Sequence, residues 1–256
     1  MSLLSPMPSR IADRTDLGDI VSRFRDRRRA QIPNFLEPEF AYRLHGRLVS
    51  WSEWALVTRI DGRHRIFDAN GMDQLELEKR ATFDELVAAE ARAGFQYLYE
   101  RFPLYDRGRS GQLADPVLTE VYALLRSEAF LEMGRQLTGD PGISYANGQV
   151  SRYRRGHFLT LHDDGGAEGV DRVAAYVLNM TPDWPADYGG QLQFADDQGR
   201  AEETVTPRIN SLSVFAVPCP HLVSAVAPFV SGSRFAITGW FNRGEEPTVR
   251  GNPDGR

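Results

Sequence analysis

Apolar residues over positions 1–142 recur mostly at the three-to-four-residue spacing of helices, whereas after position 143 they recur mostly at the two-residue spacing of strands. The first pattern predicts helices over 17–30, 40–51, 83–102 and 117–137. Two starts are marked locally: Thr82-Phe83-Asp84-Glu85 has the form of a capping box, and Asp115-Pro116 places a capping carboxylate before a first-turn proline. Alternating apolar residues at 54–60 and 64–67, joined across Asp61-Gly62, predict a β-hairpin within this helical half. The second pattern predicts strands at 144–153, 172–178, 191–194, 203–206, 211–217, 222–226 and 234–241, separated by Gly, Pro and Asp. About eight short strands of this kind suggest a jelly roll. The expected fold is therefore mainly β with α. A double-stranded β-helix (jelly roll) core at 143–243 is supported by N-terminal helices at 1–142 and followed by a flexible Gly/Pro-rich tail at 244–256, all in one structural domain.

Composition narrows this picture. A chain of 256 residues that is 41% hydrophobic can bury a substantial core. The net charge of −5 argues against a general nucleic-acid binder, although all the basic residues except Lys79 are arginine. The single cysteine, Cys219, excludes an intramolecular disulfide and a multi-cysteine zinc site. The N-terminal residues lack a basic segment followed by an apolar run, and no stretch reaches membrane-spanning length, so a soluble cytoplasmic protein is expected.

Candidate chemistry centres on Leu161-His162-Asp163-Asp164-Gly165 and on His221. In an extended segment alternate side chains share a face, so His162 and Asp164 are expected to converge while Asp163 points away. Two histidines and one carboxylate form the facial triad that holds Fe(II) and leaves other positions open, which points to a mononuclear iron oxygenase. With 5 histidines, a His-x-Asp arises by accident in roughly one such chain in three, so a turn aspartate beside a surface histidine is the competing reading. The terminal strand adds a second signal: alternation puts Arg234, Ala236, Thr238 and Trp240 on one face. An arginine inside a barrel needs an anion, and a dicarboxylate co-substrate supplies one. Of the remaining histidines, His45 and His64 suit structural roles, while His157 lies near enough in sequence to reach a substrate.

The ordered series Tyr153-Arg-Arg-Gly-His157-Phe-Leu-Thr-Leu-His162-Asp-Asp164, Tyr176-Val-Leu-Asn179, Tyr188-Gly-Gly-Gln-Leu192, Asn210-Ser-Leu-Ser-Val-Phe215, His221 and Arg234-Phe-Ala-Ile-Thr-Gly-Trp240 resembles the 2-oxoglutarate/Fe(II) oxygenase superfamily, and within it the prolyl hydroxylases of ribosomal proteins and of hypoxia sensing. The resemblance implies that His162, Asp164 and His221 bind Fe(II), that Arg234 and Tyr153 hold 2-oxoglutarate with Thr238 nearby, and that Trp240, His157 and Arg154 lie beside the substrate. It also implies O₂ as oxidant, succinate and CO₂ as products, and ascorbate as a reductant. Two departures stand out: Arg234 follows His221 at a wider gap than is usual in the family, and a co-substrate tyrosine of the oxygen-sensing members aligns with Val177.

The implied substrate is a prolyl residue in a protein, with a free amino acid or small peptide metabolite as the alternative. A non-catalytic sensor that binds metal and 2-oxoglutarate, or a zinc hydrolase, is a second class. Zinc hydrolysis leaves Arg234 without a role.

Overall fold

The computed structural model describes residues 10–165 and 170–247, so the tail expected at 244–256 falls largely outside the described residues. Seven helices are described: α1 (Leu17–Arg27), α2 (Pro38–Val49), α3 (Ala69–Asp73), α4 (Leu77–Ala93), α5 (Leu104–Arg109), α6 (Pro116–Leu125) and α7 (Glu128–Thr138). Interleaved with them are strands β1 (Arg29–Pro33), β2 (Ala55–Ile60), β3 (Arg63–Asp68) and β4 (Tyr97–Phe102). Eight strands follow: β5 (Ile143–Tyr153), β6 (Phe158–His162), β7 (Asp171–Asn179), β8 (Leu192–Ala195), β9 (Ala201–Val205), β10 (Ser211–Ala216), β11 (His221–Val223) and β12 (Arg234–Arg243).

The sheet runs in the order β1-β10-β7-β12-β5-β4-β6-β11-β8-β9, with the β2–β3 hairpin attached through β2 to β4. The pairings are antiparallel, and the sheet curls into the expected jelly roll. The expected hairpin is present, and Asp61 and Gly62 both take positive φ, 52° and 70°, as a two-residue turn of this hand requires. β1 and β4 come from the segment read as helical support, yet β1 pairs with β10 and β4 lies between β5 and β6.

Three helical expectations need correction. The periodicity over 83–102 conflates two elements: α4 ends at Ala93 and β4 begins at Tyr97, with burial alternating along the strand. Thr82 caps nothing; it lies inside α4, its hydroxyl donating to the Glu78 carbonyl at 2.9 Å. The apolar run over 117–137 is broken into α6 and α7. Ser127 Oγ accepts from Phe130 N at 3.2 Å and starts α7. By contrast Asp115 caps α6 as expected, its Oδ1 accepting from Leu118 N at 2.9 Å.

The main core lies between the helices and the outer face of the sheet, where Phe235, Ile237 and Phe241 of β12 meet Phe130 of α7 and Trp54. α7 sits close against β12 because Gly134 carries no side chain; a Cβ there would lie 2.8 Å from the Phe241 ring. A smaller apolar cluster, Ala175, Val177, Leu192, Phe194, Phe215, Val217 and Ala236, fills the inside of the roll. β12 thus divides the molecule. One face packs against helices, and the other carries Arg234, Thr238 and Trp240 toward an internal cavity of about 540 Å³.

Candidate metal and co-substrate site

His162 ends β6, His221 begins β11, and the two residues pair directly across the ladder. Their rings lie 4.1 Å apart. The backbone N–H of Cys219 donates to the Asp163 carbonyl at 3.0 Å, which ties the two ligand-bearing segments together. Asp164 arrives differently from the sequence expectation. The strand stops at His162, and Asp164 takes φ 60°, in the left-handed region, so a turn and not strand alternation aims its carboxylate. Asp163 does point away: it is exposed and its side chain accepts from Gly165 N at 2.9 Å.

The three side chains converge, with one ligand atom from each lying within 4.8 Å of the others. Asp164 Oδ1 stands 3.6 Å from His162 Nε2, and Oδ2 stands 3.6 Å from His221 Nε2. These gaps are too long for hydrogen bonds and short enough for one ion to bridge. The Nδ1 of His162 faces the Thr160 carbonyl at 2.9 Å, and that of His221 faces the Cys219 carbonyl at 2.7 Å. Each Nδ1 faces outward to a carbonyl, which leaves each Nε2 facing Asp164. Burial, with the neighbouring His162 adding to it, pushes the His221 imidazole down to about 4, so it stays neutral as a metal ligand must. Asp164 is steadied by Trp240, whose indole Nε1 donates to Oδ2 at 3.0 Å. Arg172 donates to the Asp164 carbonyl at 3.1 Å and stacks 3.9 Å over the Trp240 ring.

Arg234 lies on the same cavity wall and is 2% exposed. Its Nη2 donates to Asn179 Oδ1 at 3.2 Å, its Nε has no partner, and no described carboxylate pairs with it. Burial lowers its pKa, the direction expected of a desolvated cation without a partner. Tyr153 holds its ring 5.2 Å from the Arg234 guanidinium and stacks on Tyr99 at 5.2 Å and 8°. Burial raises the Tyr153 phenol far above its ordinary value, so it remains a protonated hydrogen-bond donor. Thr238 and Val177 line the same cavity.

Two expected substrate neighbours lie elsewhere. Arg154 and His157 border a second cavity of about 810 Å³ with Leu98, Phe158 and residues of α4. The cavity that holds His162, Asp164 and His221 takes the alternate residues of the same two strands, Tyr97, Tyr99 and Leu159, so the strands separate the two spaces. Arg154 is held by Asp73 at 2.8 Å and by Glu100, and His157 is 2% exposed. Arg152 also pairs with the fully buried Glu100, 4.6 Å over Trp54. His45 is structural, facing the Met180 carbonyl at 2.7 Å. His64, also read as structural, instead reaches the cavity, bonded to the Tyr97 hydroxyl.

The row Phe95, Tyr97, Tyr99 and Arg101 on the cavity wall had no reading in the sequence. Its two-residue spacing was the available signal, masked by the helical period running into it.

Fold and site together resemble those of the iron- and 2-oxoglutarate-dependent oxygenases. Residues 148–242 match the model of the 2OG-Fe(II) oxygenase superfamily. A Pseudomonas putida prolyl-4-hydroxylase structure has a similar fold, with a TM-score of 0.57 at 17% identity over 90% of this chain and 100% of that one. A Trichoplax adhaerens prolyl hydroxylase, solved with a hypoxia-inducible-factor peptide fragment, gives 0.58 at 16% over 89% of both chains. The epimerase SnoN, solved with Fe³⁺, α-ketoglutarate and nogalamycin RO, gives 0.52 at 13% over 89% and 83%. No curated protein matches the chain by sequence.

Proposed function

We propose that the chain hydroxylates an unactivated C–H bond of a prolyl residue in a protein or peptide, holding Fe(II) with His162, Asp164 and His221 and 2-oxoglutarate with Arg234, Tyr153 and Thr238. The observation that carries the reading is Arg234: a buried guanidinium without an ion-pair partner, on the wall of the cavity that holds the triad. Such a cation is costly to bury unless an anion meets it, and a distal carboxylate fits its fork. The donor set, two imidazoles and one carboxylate, fits Fe(II).

When bound, Fe(II), 2-oxoglutarate and O₂ supply the oxidising power, with succinate and CO₂ as products and ascorbate as reductant of the iron. The protein positions and shields. The Thr160 and Cys219 carbonyls hold the two imidazoles in one tautomer, and the Trp240 indole holds Asp164. Tyr153 offers a protonated hydroxyl beside Arg234. Val177, Leu192 and Phe215 give the cavity an apolar floor that limits water around the reacting carbon.

Support for a prolyl substrate comes from Phe95, Tyr97 and Tyr99, whose rings line the cavity and suit the face of a pyrrolidine, and from the likeness to prolyl hydroxylase structures. A free amino acid or small peptide would use the same iron and co-substrate residues. Succinate formation from 2-oxoglutarate with Fe(II) in air, with and without proline-containing protein fragments and with His162→Ala as blank, tests the proposal. Proline-dependent stimulation with a mass gain of one oxygen atom is the expected result. Iron-loaded protein that forms no succinate above the blank would be a sensor and not an enzyme.

A further inference from the structure

The cavity holds more positive charge than the co-substrate explains. Its histidines aside, its described charged residues are Arg101, Arg172 and Arg234 against Asp106 and Asp164, three cations to two carboxylates. Fe(II) and the dianion of 2-oxoglutarate cancel one another. One positive charge remains, in a protein whose net charge is −5.

Local geometry places the surplus. β12 and β5 pair Arg234 with Tyr153, Ala236 with Ser151, Thr238 with Gln149 and Trp240 with Asn147, so the cavity runs from an Arg234 end to a Trp240 end. On β4, Arg101 pairs with Ser151. It therefore sits one pleat, about 7 Å, from the Tyr99–Tyr153 stack on its Trp240 side, between the Arg234 and Trp240 rows. Arg101 makes no ion-pair contact with a described carboxylate, although the charge of Asp106 on the same cavity wall acts on it from a distance. Its Nε is buried without a partner and its Nη1 makes only a long contact, 3.5 Å, with Gln149 Oε1. Tyr105, 5% exposed at the start of α5, also lines the cavity and has an unpartnered hydroxyl. Arg172, by contrast, is engaged by Asp164 and Trp240.

We infer that the primary substrate carries a carboxylate, received by Arg101 and Tyr105 on the Trp240 side of the co-substrate arginine. This rests on the oxygenase reading of the site. A cation and a phenol donor, both short of partners, suit a carboxylate better than an amide, because a charge-assisted hydrogen bond is about twice as strong as a neutral one. The carboxylate belongs either to a free imino or amino acid or to an acidic side chain next to the target residue of a peptide.

The test measures binding by calorimetry to protein loaded with Fe(II) and 2-oxoglutarate under nitrogen. The probes are two pairs: L-proline against L-prolinamide, and the blocked dipeptides acetyl-Glu-Pro-amide against acetyl-Gln-Pro-amide. In one pair the acid is expected to bind about tenfold tighter or more, and the winning pair identifies the source of the carboxylate. Arg101→Gln is expected to bring that ratio to about one, Arg101→Lys to restore part of it, and Tyr105→Phe to lower it several-fold at unchanged melting temperature. Tyr105→Phe keeps the ring and decides the question if Arg101→Gln fails to fold. Equal binding within both pairs, or a preference that survives Arg101→Gln and Tyr105→Phe, overturns the inference. The ratio is read without turnover, so absent succinate formation in air counts against the oxygenase reading and leaves the ratio to decide this one.

Discussion

Asp163 and Asp164 are adjacent and chemically identical, and only their backbones separate them. Asp164, at φ 60°, presents its carboxylate between two imidazoles, while Asp163 closes an exposed turn onto Gly165 N. Asp164→Ala is expected to abolish both iron retention and 2-oxoglutarate turnover, and Asp163→Ala to cost at most about 1 kcal/mol of stability with activity retained, measured by iron content and succinate yield. Interchangeable effects would sink the triad. At Arg234 the loss of a charge-assisted pair, worth about 1.5–3 kcal/mol, predicts that Arg234→Ala raises the KM for 2-oxoglutarate roughly 10–100-fold while iron content is unchanged. An unaltered KM would place the co-substrate elsewhere.

Elements obey local rules where the residues that set them are adjacent. Asp115-Pro116 starts α6 and Asp61-Gly62 turns the β2–β3 hairpin. Ser127 is the less obvious case, since it interrupts a continuous apolar period and begins α7. Removing its hydroxyl with Ser127→Ala is expected to destabilise the protein by about 1 kcal/mol, seen as a lower denaturation midpoint with unchanged metal binding. Stability equal to that of the parent would show that packing of α7 on β12 suffices without the cap.

Across the whole molecule, acid sensitivity follows from His157. Burial in the wall of the second cavity pushes its pKa down to about 3 from an ordinary 6.5, with the charge of Arg154 acting in the same direction. The unfolded chain protonates this group below about 6.5 and the folded chain resists until about 3. Its contribution is therefore complete above 6.5 and is lost progressively as the pH falls toward 3, a change of a few kcal/mol. Urea midpoints measured between pH 7 and 4 are expected to fall less steeply in His157→Gln than in the parent protein. Parallel slopes would show that His157 is not the group responsible.

The sequence by itself determined the β-rich second half, its jelly-roll architecture, the residues His162, Asp164 and His221 as a candidate set, and the cavity-facing row Arg234, Thr238 and Trp240. Strand alternation, turn residues and ligand chemistry are all written within a few consecutive positions. Tertiary structure decided the rest. β4 emerged from what reads as a helix tail because its partners β2, β5 and β6 lie far away in sequence. Arg154 and His157 turned out to face a separate cavity, because which side of a strand looks inward depends on its neighbours and not on its own alternation. Arg101, Tyr105 and Arg172 carry no motif; they meet at one cavity because a curled sheet brings β4, α5 and β7 around the same space.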